Sequence, residues 1–192
     1  MKKKEEGGVV RKGGLRKSVA REISYIALSV ALITVGAWIA IPVGNVPFTL
    51  QTLMVALIGG VMGWKRGVAT LFVYVLMGMI GIPVFSKFQA GVGVLFGATG
   101  GYIFGFFFLV LVPAFCKYLP VKNKWARASV FFAASVIGEA VCYFFGTVWF
   151  VNVYHCTVGY AMAICVVPFI VPDLVKFVLS SALTVRLEKY VR

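Results

Sequence analysis

Six apolar stretches alternate with short polar connections along the chain: Ile23 to Ile41, Thr49 to Met62, Gly67 to Ile80, Ala98 to Leu119, Ala126 to Val151 and Gly159 to Val185. A helix that crosses a bilayer needs roughly 20 predominantly apolar residues, so the pattern predicts six spanning helices in one bundle. The second and third stretches are short for a span, which predicts that one of them is tilted, broken or shielded by protein. Between the third and fourth lies GIPVFSKFQAGVGVLFGATGGY (Gly81 to Tyr102), whose six glycines let backbone approach backbone, or a ligand, where a side chain would block it. This segment predicts a shaped loop that forms part of a small-molecule site.

Composition turns that pattern into a class. The 192 residues are 61% hydrophobic and only 13% charged, with a mean hydropathy of +0.96, whereas a soluble domain carries about 25% charged residues. The expected fold is an all-α integral membrane protein, with residues 23–192 as a six-helix membrane domain and residues 1–22 as a basic tail, of which MKKKEEGGVVRKGG reads as disordered. Little chain remains for a separate catalytic domain.

Charge gives the orientation. Of 19 Lys and Arg residues, eight lie in the tail to Arg21, two at Lys65/Arg66, four between Lys117 and Arg127, and three at the carboxy terminus. The connections Pro42 to Phe48 and Asn152 to Val158 have none. The positive-inside rule then places both termini in the cytoplasm and the glycine loop outside. The net charge of +13 is accounted for by topology signals next to anionic lipid headgroups, and nucleic acid is not expected as a partner because no folded basic patch is interleaved with aromatics. Ile23 to Ile41 is long enough to span and no small-residue cleavage site follows it, so no cleaved signal peptide is expected. Cys116, Cys142, Cys156 and Cys165 show no paired spacing, and His155 beside Cys156 lacks further ligands, so no metal, redox or cofactor chemistry is expected.

Candidate chemistry lies with the ionisable residues inside apolar stretches, each costing about 2.5 to 3.5 kcal/mol at mid-span on insertion scales. These are Glu139, Asp173 and Lys176. Asp173 and Lys176, three residues apart, share a helical face and should meet each other or a polar cavity. Pro168 and Pro172 predict that the last stretch breaks and restarts with Pro172 at the first helical position, which puts Asp173 in the first turn of a half-helix, where the dipole favours a carboxylate. Broken helices with ionisable groups at membrane depth mark transporter sites; an ion pair that only fixes helix packing is the other reading. Glu139 serves either a site or a neutral interhelical hydrogen bond, with Tyr143 one turn on and Gly138 and Gly146 allowing close approach. Tyr143 and Trp149 are either pocket walls or packing and interfacial aromatics. In the first stretch Ala27 and Ala31 form AxxxA, a spacing that lets two membrane helices come close.

The runs VPFTLQTL (Val46 to Leu53), Gly63 with Lys65, Arg66 and Gly67, GIPVF (Gly81 to Phe85), GATGGY (Gly97 to Tyr102) and PFIVPDLVK (Pro168 to Lys176) resemble, in this order, the BioY family, the biotin-specific S components of energy-coupling factor transporters. The resemblance covers about Ser24 to Leu183. Two departures stand out: Ala98 replaces the proline usual before TGGY, and SKFQAG replaces a more glycine-rich stretch. The resemblance implies a six-helix protein that captures biotin from the outer side, docks on a transmembrane T component driven by two cytoplasmic ATPases, and topples in the membrane to deliver the vitamin inward. It makes Ala27 and Ala31 the docking feature. No Walker A pattern is present, so ATP hydrolysis falls to the partners.

Biotin offers two ureido N–H donors, a ureido oxygen, an apolar thioether ring and a carboxylate. The expectation is that Asp173 accepts from a ureido N–H and Lys176 donates to the ureido oxygen. Lys87 then holds or steers the carboxylate, with Gln89, Thr99 and loop N–H groups as further donors, while Phe85, Tyr102 and Tyr143 wall the thioether ring. The competing assignment gives the carboxylate to Lys176 and leaves Lys87 as a solvated loop charge. A stand-alone, proton-coupled carrier of biotin or a related vitamin, with Glu139 and Asp173 as relay, is the alternative function. An enzyme is not expected, since no paired aspartates, HExxH or serine and histidine dyad at membrane depth is present.

Overall fold

The computed structural model describes residues 10–41 and 46–191 and is mostly helical. Its elements are α1 (Val10–Trp38), a two-residue hairpin β1 (Ala40–Ile41) and β2 (Phe48–Thr49), α2 (Gln51–Met62), α3 (Trp64–Met79), a 3-10 turn (Ser86–Phe88), α4 (Val92–Phe96), α5 (Gly100–Cys116), α6 (Lys124–Tyr154), α7 (Val158–Cys165) and α8 (Val167–Leu187). The strands pair antiparallel, Ala40 with Thr49 and Ile41 with Phe48.

Every predicted apolar stretch is helical, with differences that have physical causes. Helix α1 is described from Val10, so residues 10–14 of the stretch expected to be disordered are helical, as is the rest of the tail to Glu22; residues 1–9 lie outside those described, as do residues 42–45 of the first outer connection. The glycine loop contains its own short helix, α4. The sixth stretch is two helices, but the break is at Val166 (φ −123°, ψ −57°), not at Pro172. Pro168 takes the favourable place in the first turn of α8, and Pro172 lies within the helix. Asp173 is therefore two turns inside α8 and outside the reach of the terminal dipole.

Among the described residues, three segments are long and apolar enough to cross a membrane: Val19–Trp38, Lys124–Tyr154 and Val167–Leu187. Helices α2, α3 and α5, at 12, 16 and 17 residues, are shorter. The exterior is apolar, with Phe72, Phe144, Val171 and Val175 exposed, as expected for a surface that faces lipid rather than water. The chain is a membrane protein.

Small residues set the helix crossings. Helices α5 and α6 run antiparallel, with Gly101 against Trp149, Gly105 against Cys142 and Leu109 against Gly138, and the Tyr102 ring lies on Gly146. A Cβ on Gly105 would stand 2.6 Å from the Cys142 sulfur, and one on Gly59 of α2 would stand 2.3 Å from the Val110 carbonyl oxygen of α5. In lipid, apolar side chains gain little by leaving their surroundings, so close backbone contact of this kind carries helix association. Gly59→Ala is expected to force α2 off α5 and cost about 1–3 kcal/mol, read as a fall in melting temperature in detergent. Gly159→Ala, where no atom lies within 4 Å of the added Cβ, is expected to leave the melting temperature unchanged or slightly raised.

Candidate ligand-binding site

The site is built around the two charges of α8. Asp173 and Lys176, 3% and 5% exposed, meet with Nζ 2.7 Å from Oδ1. Lys176 uses all three of its donors and both Asp173 oxygens accept, with one carboxylate lone-pair site left over, as burial in a low-dielectric setting requires partners for each ion. Lys176 also donates to the Thr49 carbonyl at 2.6 Å and to Thr52 Oγ1 at 3.2 Å, and its ammonium lies 3.9 Å from the centre of the Phe48 ring. Thr52 Oγ1 in turn donates a hydrogen bond to Asp173 Oδ1 at 3.0 Å. The second carboxylate oxygen accepts a short hydrogen bond from the Tyr143 hydroxyl. The end of the β hairpin, α2, α6 and α8 are thus tied at one point.

This network forms one wall of a pocket with about 630 Å³ of space between its atoms, the open solvent at its mouth included. Its other walls come from α3 (Tyr74), the loop after α3 (Phe85, Ser86), α5 (Tyr102, Ile103, Phe106), α6 (Glu139) and α8 (Phe169). Glu139 Oε2 and the Tyr102 hydroxyl are buried without a hydrogen-bond partner among the described residues. Two unpartnered polar atoms on one cavity are unused recognition capacity, since an unsatisfied buried polar group costs about 1–3 kcal/mol.

The glycine loop closes one side. Phe85 is 1% exposed, packs edge-on to Tyr74 at 5.5 Å, and occupies the space where Gly78 has no side chain. Tyr74 donates to the Val84 carbonyl at 3.0 Å while accepting from Gln51 Nε2 at 2.8 Å. Gly91 N–H donates to the Gly78 carbonyl at 2.7 Å, and Trp38 Nε1 donates to the Pro83 carbonyl at 2.8 Å. The loop is a latched cover.

Of the residues expected from sequence, Phe85, Thr99, Tyr102, Glu139, Tyr143, Asp173 and Lys176 line this cavity. Lys87 and Gln89 do not: both are exposed, and the backbone turns through the left-handed region at Lys87 (φ 56°) and Phe88 (φ 58°). Ser86 faces the cavity in their place. Trp149 is a packing residue, with Nε1 donating to the Gly97 carbonyl at 3.0 Å. Sequence reasoning missed Gln51, Thr52, Tyr74 and Phe169. Gln51 and Thr52 stand inside the VPFTLQTL run, where polar residues opening an apolar stretch were the available signal. Ala27 and Ala31 are exposed on the outer side of α1, opposite the buried Val30, Ile33 and Ala37.

Comparison with known proteins fits this geometry. Residues 3–192 match the BioY family model. A biotin transporter BioY of Thermotoga maritima is 40% identical over 88% of this chain and 96% of its own. A probable biotin transporter BioY of Pyrococcus horikoshii is 37% identical over 88% and 97%, and biotin transporter BioY2 of Lactococcus lactis is 32% identical over 83% and 85%. The crystal structure of the S-component for biotin from an ECF-type ABC transporter shares the fold, with a TM-score of 0.79 over 92% of this chain and 98% of that one at 23% identity. With a match over nearly its whole length and relatives similar from end to end, this chain belongs to the BioY family.

Proposed function

We infer that this protein is the biotin-binding S component of an energy-coupling factor importer, a six-span protein of a bacterial-type cell membrane with both termini cytoplasmic. The observation that carries this reading is the buried Asp173–Lys176 network set in an otherwise largely apolar and aromatic cavity, in a chain whose relatives bear the name biotin transporter. An acid and a base on one wall match the donor and acceptor set of a ureido group. Asp173 accepts from a ureido N–H at its remaining lone-pair site, and Lys176 donates to the ureido oxygen by giving up its longest bond, the one to Thr52. Tyr102, Tyr143 and Phe85 wall the thioether ring, and the unpartnered Glu139 and Tyr102 oxygens are the next groups within the same cavity. The valerate tail runs to the loop, where Ser86 and Thr99 face inward and Lys87, one residue along, steers the carboxylate through solvent.

Delivery follows from docking. Ala27 and Ala31 present two small, exposed side chains one turn apart on the outer side of α1, between the larger exposed Ile23 and Val35, which suits close approach by a helix of the T component; two ATPases on the cytoplasmic side supply the energy. The glycine loop covers the site from outside, so loop opening admits the vitamin and reorientation of the docked protein releases it inward.

Calorimetric titration in detergent is expected to show biotin affinity reduced roughly ten- to hundredfold in Asp173→Asn and in Lys176→Ala, from loss of hydrogen bonds to charged partners; wild-type affinity in both would overturn the site. A neutral biotin amide separates the two placements of the carboxylate. Its penalty relative to biotin should disappear in Lys87→Ala, and disappearance in Lys176→Ala instead would move the carboxylate to the deep wall. Ala27→Leu with Ala31→Leu is expected to abolish co-purification with the T component while leaving the biotin titration unchanged, and retained co-purification would remove α1 from the docking surface.

A further inference from the structure

At the opposite end of the bundle from the ligand cavity, a second cleft of about 1280 Å³, its open side included, is lined by five basic and two acidic side chains, which leaves three positive charges unmatched. Two of the cations are paired. Arg66 grips Glu22 through Nε and Nη2, both at 2.6 Å. Arg127 grips Glu188 at 2.5 and 2.8 Å and also donates to the Lys117 carbonyl at the end of α5. Lys65, Lys117 and Lys189 reach no carboxylate among the described residues. Lys117 is half-buried, with Nζ 2.5 Å from the Val61 carbonyl in the last turn of α2, so its ammonium is held in place facing the cleft with hydrogen-bonding capacity to spare.

Aromatic residues fix the depth of this cleft. Trp64, Tyr118, Trp125 and Tyr190 are all exposed at this end, and the Lys65 and Lys189 ammonium groups lie over the rings of Trp64 and Tyr190 at 5.4 and 4.8 Å. Exposed Trp and Tyr mark the membrane–water interface. A half-enclosed cleft at that level, with excess positive charge, faces lipid phosphates as its nearest anions.

We propose that this cleft binds the phosphate group of an anionic phospholipid, with Lys65, Lys117 and Lys189 as its cationic ligands. The two Arg–Glu pairs tie α1 to α3 and α6 to the end of α8, and they neutralise the carboxylates that would otherwise repel the headgroup. An acidic protein segment would meet the same charges, but headgroup depth favours the lipid. The proposal does not rest on the biotin reading, because the lysines lie at the far ends of α3, α5 and α8 from the cavity.

The test is native mass spectrometry of the full chain in a neutral detergent, with phosphatidylglycerol and phosphatidylcholine of identical acyl chains added in parallel. Phosphatidylglycerol is expected to be retained roughly tenfold better, and Lys65→Gln with Lys189→Gln to remove most of that preference. Both lysines are exposed, and an unchanged melting temperature and size-exclusion profile confirm that the variant is folded. Equal retention of the two lipids, or a preference that survives in the variant with Lys117→Gln added, would overturn the proposal. Displacement of phosphatidylglycerol by millimolar inorganic phosphate would overturn it in favour of a free-phosphate site. Displacement by a short acidic peptide would overturn it in favour of a protein partner.

Discussion

Two opposite charges buried one helical turn apart constrain everything around them. An ammonium and a carboxylate inside a membrane bundle are tolerated only when each is fully bonded, because their mutual attraction alone does not offset desolvation. The groups that complete the bonding of Asp173 and Lys176 come from three other parts of the chain: the carbonyl at Thr49, the hydroxyl of Thr52 and the phenol of Tyr143. The strand before α2, the first turn of α2 and the middle of α6 must therefore lie where they do. The candidate binding site and the structural keystone are the same atoms.

The second requirement is proximity without side chains. Water-driven collapse is absent between helices in lipid, so the bundle depends on packing contact, and Gly59, Gly101, Gly105, Gly138 and Gly146 provide it along the faces of α2, α5 and α6. The two requirements meet at Tyr102, which lines the candidate cavity and whose ring occupies the space left by Gly146, with its hydroxyl buried. The position of that hydroxyl is set by a glycine on a different helix.

Much of this was legible in sequence, for physical reasons. Apolar runs report helices at membrane depth directly, and an acid and a base three residues apart in such a run leave few arrangements but mutual pairing. Phe85, Tyr102 and Tyr143 were identifiable because a glycine-rich loop and a carboxylate-bearing helix narrow the set of candidate walls. What stayed hidden was direction. Lys87 turns away because the backbone passes through positive φ at two successive non-glycine residues, and such residues give no local cue to that conformation. The break beside α8 falls at Val166 because proline is accommodated best in a first helical turn, and of two prolines four residues apart only one holds that place. Gln51 and Tyr74 face the cavity as a hydrogen-bonded pair 23 residues apart, a partnership that no local pattern encodes.

Trp38 ends α1, donates to the Pro83 carbonyl and packs at a tilt against Phe88, ring centres 4.9 Å apart, so the cover of the cavity is fastened to the helix that presents Ala27 and Ala31 outward. Loop and helix share one mechanical joint. The loop cannot shift at Pro83 or Phe88 without breaking these contacts or carrying the end of α1 with it. One tryptophan therefore joins the cover of the candidate site to the end of the first helix.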